Sequence, residues 1–235
     1  MEFRIRRFDG ENSFWQSYEV PTKKGMTVLE CLYYIRDNLD STLSFRASCR
    51  MGICGSCAVK INGKPKLACE TQVSELKNPI VVEPLDNFKV LKDLVVDFEG
   101  FFAKHKMVKP FIVRDDIDYN SPVELIQTPK ELAKYYNYSL CIKCGACVSV
   151  CPAAATSEDY LGPAALVAAY RFCADSRDKD CKDRIEIISS ERGVWRCHSA
   201  MACSEVCPKK IEPAKAVQLL RRKAIIHSIK KLFRW

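Results

Sequence analysis

The sequence predicts an α+β chain in two domains, a strand-rich domain over residues 1–100 and an all-helical domain over residues 101–235. Three observations carry this prediction. Apolar and charged residues alternate between turn signals through the first hundred residues, the pattern of half-buried strands. Beyond them, apolar residues recur at three and four positions behind helix-start signals. Eleven of the fourteen cysteines fall into three runs with metal-ligand spacing, one in the first half and two in the second. At 235 residues and 48% apolar content, the chain has enough core-forming material for two domains of ordinary size.

Glu2-Phe-Arg-Ile-Arg-Arg-Phe8 alternates as a strand, Asp9-Gly10 marks a turn, and Gln16 to Val20 supplies a returning strand. Thr27 caps a helix whose apolar positions are Val28, Leu29, Leu32, Ile35 and Leu39, laid across the sheet. Cys31 in that helix reads as a small buried hydrophobe. Ala58 to Ile61 and Lys66 to Ala68 flank Asn62-Gly63, a hairpin signal, with Pro65 suggesting a loop longer than two residues. Pro79 to Glu83 is a further strand, and Val90 to Phe102 has a helical pattern linking the domains.

Between the helix and the hairpin lies Ser48-Cys49-Arg-Met-Gly-Ile-Cys54-Gly-Ser-Cys57, and Cys69 follows the hairpin. The spacing C-x4-C-x2-C with a distant fourth cysteine is that of plant-type 2Fe-2S ferredoxins. Thiolates are the soft ligands that iron and sulfide require, and Gly52 and Gly55 let the backbone wrap closely and aim N–H groups at sulfur. The competing reading, a four-cysteine zinc knot, normally shows paired C-x2-C knuckles, which this loop lacks.

A crossover containing Pro110, Pro122 and Pro129 leads to Thr128-Pro-Lys-Glu131, a capped helix start that delivers the chain to Cys141. Cys141-x2-Cys144-x2-Cys147-x3-Cys151-Pro152 is a complete ferredoxin half-motif. Gly162-Pro163 opens a small-residue helix through Phe172, and Asp180 to Ile188 forms another. The second run has cysteines at 197, 203 and 207, followed by Pro208, and holds Ala200 where a further cysteine belongs. In two-cluster ferredoxins, three cysteines of each run hold one cluster and the fourth crosses to the other. That rule assigns Cys141, Cys144, Cys147 and Cys207 to a 4Fe-4S cluster. It leaves Cys151, Cys197 and Cys203, three thiolates suited to a 3Fe-4S cluster, because Ala200 offers no ligand. Cys173 and Cys181 lie outside these spacings and read as structural or incidental.

Residues 1–8 have no apolar signal core, which predicts a reducing compartment where thiols bind metal rather than pair. No apolar run approaches the roughly 20 residues of a membrane span, so membrane association is expected to be peripheral or through another subunit. The net charge is +8, divided as a net +1 in residues 1–105 and a net +7 in the remainder. From Lys215 to Trp235 seven basic residues and no acidic one mingle with Val217, Leu219, Leu220, Ile225, Ile226, Ile229, Leu232, Phe233 and Trp235. This basic amphipathic tail suits docking against a membrane anchor and anionic headgroups, and the plainer alternative is a solvated helix packed on its own domain. No recognition motif accompanies the charge, so nucleic acid is not an expected partner.

Taken together, the plant-type loop, the paired runs and the defect at Ala200 resemble the iron-sulfur subunit of succinate dehydrogenase and quinol:fumarate reductase, respiratory complex II. The resemblance extends to Leu161-Gly-Pro-Ala-Ala, Ala169-Tyr-Arg-Phe172 and Arg196-Cys197-His198 and covers nearly the whole chain. It implies a β-grasp 2Fe-2S domain followed by a helical 4Fe-4S/3Fe-4S domain. It further implies an FAD-bearing flavoprotein partner that holds the dicarboxylate site, a membrane-anchor subunit presenting quinone, and residence on the cytoplasmic face of the membrane. This chain would then carry electrons from FAD through 2Fe-2S, 4Fe-4S and 3Fe-4S clusters to quinone in succinate oxidation, or in reverse in fumarate reduction. His198 matches the family histidine near quinone, with a loop-structuring histidine as the alternative, and Gln218 and Arg221 match polar residues near a menaquinol site. His105 and His227 read as surface residues. Where many succinate dehydrogenases carry tryptophan shortly after the Cys-Pro, this chain has Ala153-Ala-Ala-Thr-Ser157, as many fumarate reductases do. A soluble multi-cluster ferredoxin and a zinc-stabilised interaction module are the rival classes.

Overall fold

The computed structural model describes residues 1–117, 120 and 124–233. Two expectations, the crossover proline Pro122 and the terminal Trp235, lie outside the described residues. The structure is α+β and divides into two compact units. One comprises Met1–Glu99 with Ile142–Val150, the other Gly100–Cys141 with Cys151–Trp235.

In the first unit, β1 (Glu2–Phe8) and β2 (Ser13–Glu19) form an antiparallel hairpin. α1 (Val28–Asn38) follows, and Thr27 and Glu30 close a reciprocal capping box at its start. Its apolar stripe, Val28, Leu29, Cys31, Leu32 and Ile35, is buried. The remaining strands are β3 (Ala58–Ile61), β4 (Lys64–Leu67) and β5 (Ile80–Glu83). The sheet order is β2-β1-β5-β3-β4, with β1 and β5 parallel and the other pairs antiparallel. Phe3, Ile5, Ile61, Ile80 and Val82 alternate inward along these strands and join the helix stripe in the core.

Several sequence expectations change here. The β3–β4 loop is only Asn62-Gly63, both with positive φ (46° and 77°), as a tight primed hairpin turn requires. Pro65 does not lengthen the loop, because β4 is an edge strand where a missing N–H costs no ladder bond. The helix expected over Val90–Phe102 is instead a short hairpin, β6 (Val90–Lys92) and β7 (Val95–Val96), followed by α2 (Glu99–Met107). Asp93 in that hairpin is buried and accepts from Arg7 Nε at 2.8 Å, Phe8 N at 3.1 Å and Ser44 N at 2.8 Å. A buried carboxylate with these partners fixes the hairpin to the sheet, which apolar periodicity does not reveal. His105, expected at the surface, is 8% exposed in α2.

The second unit is helical. α3 (Pro129–Ala133), again with a Thr128–Glu131 capping box, and α4 (Tyr136–Ser139) lead to Cys141. The short α5 (Ala146–Ser149) belongs to the first unit, and α6 (Pro152–Thr156) returns the chain to the second. α7 (Gly162–Cys173) is the central helix, buried almost throughout, and its four alanines at 164, 165, 168 and 169 admit close neighbours. α8 (Cys181–Ile188) packs on it, α9 (Ala202–Glu205) lies within the second cysteine run, and α10 (Pro213–Leu232) ends the described chain. Ile185, Ile188, Ala216, Val217, Leu220 and Ala224 from α8 and α10 complete this core.

Candidate metal centres

The loop after α1 wraps around thiols. Arg50, Gly52 and Gly55 all take positive φ (57°, 69° and 74°), which coils residues 49–57 tightly. The backbone N–H groups of Met51, Ile53 and Cys54 point to Cys49 Sγ at 3.5, 3.3 and 3.2 Å. Cys49 N–H reaches Cys54 Sγ at 3.5 Å, and Gly52 N–H reaches Cys69 Sγ at 3.3 Å. These donors favour negative charge on sulfur, as a bound thiolate needs. Burial acts against the Cys54 thiolate, but bonds from Ser56 and Cys49 outweigh it and draw the thiol down to about 6. Cys57, buried and bonded to Cys69, is pushed up to about 12. All four predicted ligands of this loop are therefore brought together.

Gly55 has a second function in the loop. A Cβ there would stand 2.9 Å from both Cys144 Cβ and the Ile142 carbonyl oxygen, so only glycine permits the observed approach. The segment Ile142–Val150 is held by Ser149 Oγ, which accepts from Asp86 N at 2.9 Å, and by Asn87 Nδ2, which donates to Val148 O at 2.8 Å. Gly145, at φ 82°, fits beneath the rings of Phe88 and Phe98. Cys144 and Cys147 thus belong to the first unit, whereas Cys141 and Cys207 belong to the second, where both pack against its core.

In the second unit, Cys151, Cys197 and Cys203 surround the hydroxyl of Tyr160. Tyr160 is 1% exposed, and its hydroxyl lies within hydrogen-bonding reach of Cys197. Burial, with the three sulfurs, holds its proton far above the usual phenol range. Burial also pushes up the Cys151 and Cys203 thiols, the latter to about 11. Ser199 and Met201 have left-handed φ of 57° and 61° on either side of exposed Ala200. α10 grips this loop: Arg221 donates from Nε to Val194 O at 3.0 Å, from Nη1 to Ser199 Oγ at 3.0 Å and from Nη2 to Cys197 O at 2.5 Å. Gln218 Nε2 donates to the same Ser199 Oγ at 3.0 Å. Gln218 and Arg221 therefore meet at Ser199, next to exposed His198.

Tyr160 and the gripping function of Arg221 escaped the sequence reading. The first has no motif of its own, and the second is visible only once α10 lies against the loop. Among the described residues, no group of three or more His, Cys, Asp or Glu side chains is disposed to hold a single metal ion. A polynuclear cluster, which takes only one or two thiolates on each iron and fills the remaining positions with sulfide, does not require that convergence. The thiols, the N–H donors and the glycine-lined coil fit such clusters.

Comparison with known proteins agrees in both halves. Residues 2–103 match the model of a 2Fe-2S iron-sulfur cluster binding domain, and residues 137–211 match a 4Fe-4S dicluster domain. The fumarate reductase iron-sulfur subunit of Mycobacterium tuberculosis is 47% identical over 94% of this chain and 90% of its own length. The succinate dehydrogenase iron-sulfur subunit of Coxiella burnetii is 39% identical over 94% and 95%. A chain of the Mycobacterium smegmatis Sdh1 complex superposes with a TM-score of 0.87 at 26% identity, covering 95% of this chain and 94% of that one. The chain belongs to the family of iron-sulfur subunits of succinate dehydrogenases and fumarate reductases.

Proposed function

We propose that this subunit joins an FAD-bearing flavoprotein to a membrane-anchor subunit and carries electrons from succinate, oxidised on the flavoprotein, to quinone. Cys49, Cys54, Cys57 and Cys69 would hold a 2Fe-2S cluster. Cys141, Cys144, Cys147 and Cys207 would hold a 4Fe-4S cluster, and Cys151, Cys197 and Cys203 a 3Fe-4S cluster. Bound there, the clusters supply one-electron steps between a two-electron flavin and a quinone. The chain's own residues set the conditions: N–H groups of residues 49–54 stabilise charge on sulfur, and Gly55 lets Cys144 stand against the first loop. The single observation that carries the reading is the gathering of three thiols about Tyr160 while residue 200 is alanine, which supports an electron path ending at a three-thiolate centre.

His198, Gln218 and Arg221 are the proposed quinone-side residues, and the Ser199 network that joins the last two supports them. Peripheral attachment to the cytoplasmic face fits α10, whose buried residues stop at Ala224 while Ile225, Ile226 and Ile229 stay about half exposed. No helix among the described residues is long and apolar enough to cross a membrane. A second reading, quinol:fumarate reduction, is favoured by the stretch Ala153-Ala-Ala-Thr-Ser157, where many succinate dehydrogenases carry tryptophan, and by the fumarate reductase subunits among the relatives. The test is to purify the intact complex anaerobically and compare succinate:quinone with quinol:fumarate rates. Acid-labile sulfide and three distinct paramagnetic signals are expected. Stoichiometric zinc without sulfide, or recovery as a monomer from cytosol, overturns the proposal.

A further inference from the structure

Two cysteines take no part in any cluster assignment. Cys173 ends α7 and Cys181 opens α8. The turn between them is clamped by charge. The side chain of Asp175 is fully buried and accepts from Arg171 Nη1 at 2.8 Å and Arg177 Nη2 at 2.9 Å. Asp178 pairs with fully buried Arg184, whose Nη2 donates to Phe111 O at 2.7 Å. Held this way, the Cys173 thiol donates to the carbonyl oxygen of Cys181 at 3.5 Å, and the two side chains lie close enough to shift each other's proton affinity.

The pair is asymmetric. Cys173 is 8% exposed, and its bond to Cys181 together with burial pushes its thiol well above the ordinary range. Cys181 is partly exposed at a helix N-terminus, where the aligned peptide dipoles favour a thiolate. The bond from Cys173, opposed by burial and assisted by the charges of Lys223 and Arg184, holds Cys181 at about 7. An accessible thiolate beside a buried thiol is the arrangement of an attacking and a resolving cysteine.

We propose that Cys173 and Cys181 form a peroxide-reactive dithiol, in which Cys181 attacks and Cys173 resolves. The Cys181 thiolate attacks one oxygen of hydrogen peroxide, the O–O bond breaks, and hydroxide leaves, giving a sulfenic acid. Cys173 sulfur then attacks Cys181 sulfur, the S–O bond breaks, and the departing hydroxide takes up the thiol proton. Two thiols and one peroxide become one disulfide and two waters, with two electrons passing from sulfur to peroxide.

The test treats the full chain, clusters loaded, with less than one equivalent of hydrogen peroxide, then alkylates under denaturing conditions and digests with trypsin. Arg177 and Lys179 lie between the cysteines, so a disulfide appears as peptide 172–177 linked to peptide 180–182. That link is expected while the visible absorbance of the clusters persists. C181S abolishes the link and leaves Cys173 unmodified, whereas C173S leaves a sulfenic acid on Cys181 that dimedone traps. Full alkylation of both thiols in the unsubstituted protein, or dimedone labelling of Cys173 in C181S, overturns the proposal.

Discussion

The hydroxyl of Tyr160 is buried near the sulfur atoms of Cys151, Cys197 and Cys203, within hydrogen-bonding reach of Cys197. A hydrogen bond to a cluster sulfur stabilises the more negative, reduced state and so raises the reduction potential. Tyr160→Phe keeps the ring packing and removes this one donor. The expected outcome is a fall of about tenfold in the reduction equilibrium of the proposed 3Fe centre at Cys151, Cys197 and Cys203, about 59 mV for a one-electron couple. Redox titration followed by paramagnetic resonance checks it, with the 2Fe-2S potential as an unmoved control. Ala200 poses the complementary question. Ala200→Cys supplies a thiol between the two left-handed residues of the loop, and conversion of the 3Fe to a 4Fe centre is expected. The signal of the oxidised 3Fe centre should then disappear, and its persistence at full intensity would show that position 200 does not face the vacant corner. The defect at 200 was legible in the sequence because cysteine spacing is rigid. The tyrosine was not, because a buried phenol becomes a donor to sulfur only through its tertiary neighbours.

Among the elements, those with local chemical punctuation were the ones the sequence marked out. The capping boxes of α1 and α3 and the Asn62-Gly63 turn each depend on residues within a few positions. The β6–β7 hairpin did not announce itself, because it is stabilised by Asp93 meeting Arg7 and Ser44 across distances no window spans. α10 combines both situations. Up to Ala224 it buries Ala216, Val217, Leu220 and Ala224, while Ile225, Ile226, Ile229 and Leu232 beyond are 48%, 54%, 51% and 77% exposed. Leu220→Ala should therefore destabilise the second unit by about 2 to 5 kcal/mol, read by denaturant unfolding. Replacing Ile225, Ile226 and Ile229 together by serine should change stability by no more than about 0.5 kcal/mol per site, since each side chain is already half in water. The same triple variant should nevertheless shift the subunit from the membrane fraction to the soluble fraction. Retention in the membrane would mean that another surface holds it there.

At the scale of the whole molecule, the cysteine run from Cys141 to Cys151 is continuous in sequence but divided between units. Residues 141–151 read as one motif, yet Ile142–Val150 packs with the first unit and covers Gly55, Phe88 and Phe98. Spacing specifies which sulfurs share a metal and is silent about which core surrounds them, so the sequence could not disclose this crossing. The arrangement has a consequence for fragments. A chain ending at residue 105 retains the whole five-stranded sheet and all four cysteines of the first loop, so it should still assemble a 2Fe-2S cluster. It loses Ser149 and Val148 as partners of residues 86 and 87, and it exposes the rings against which Gly145 fits. The fragment is therefore expected to unfold at a lower temperature than the same residues within the full chain. Fusing residues 142–150 to its end through a flexible linker should recover part of the loss. Equal melting temperatures for the fragment with and without that segment, followed by the visible signal of the 2Fe-2S cluster, would mean that the segment contributes nothing to the stability of the first unit.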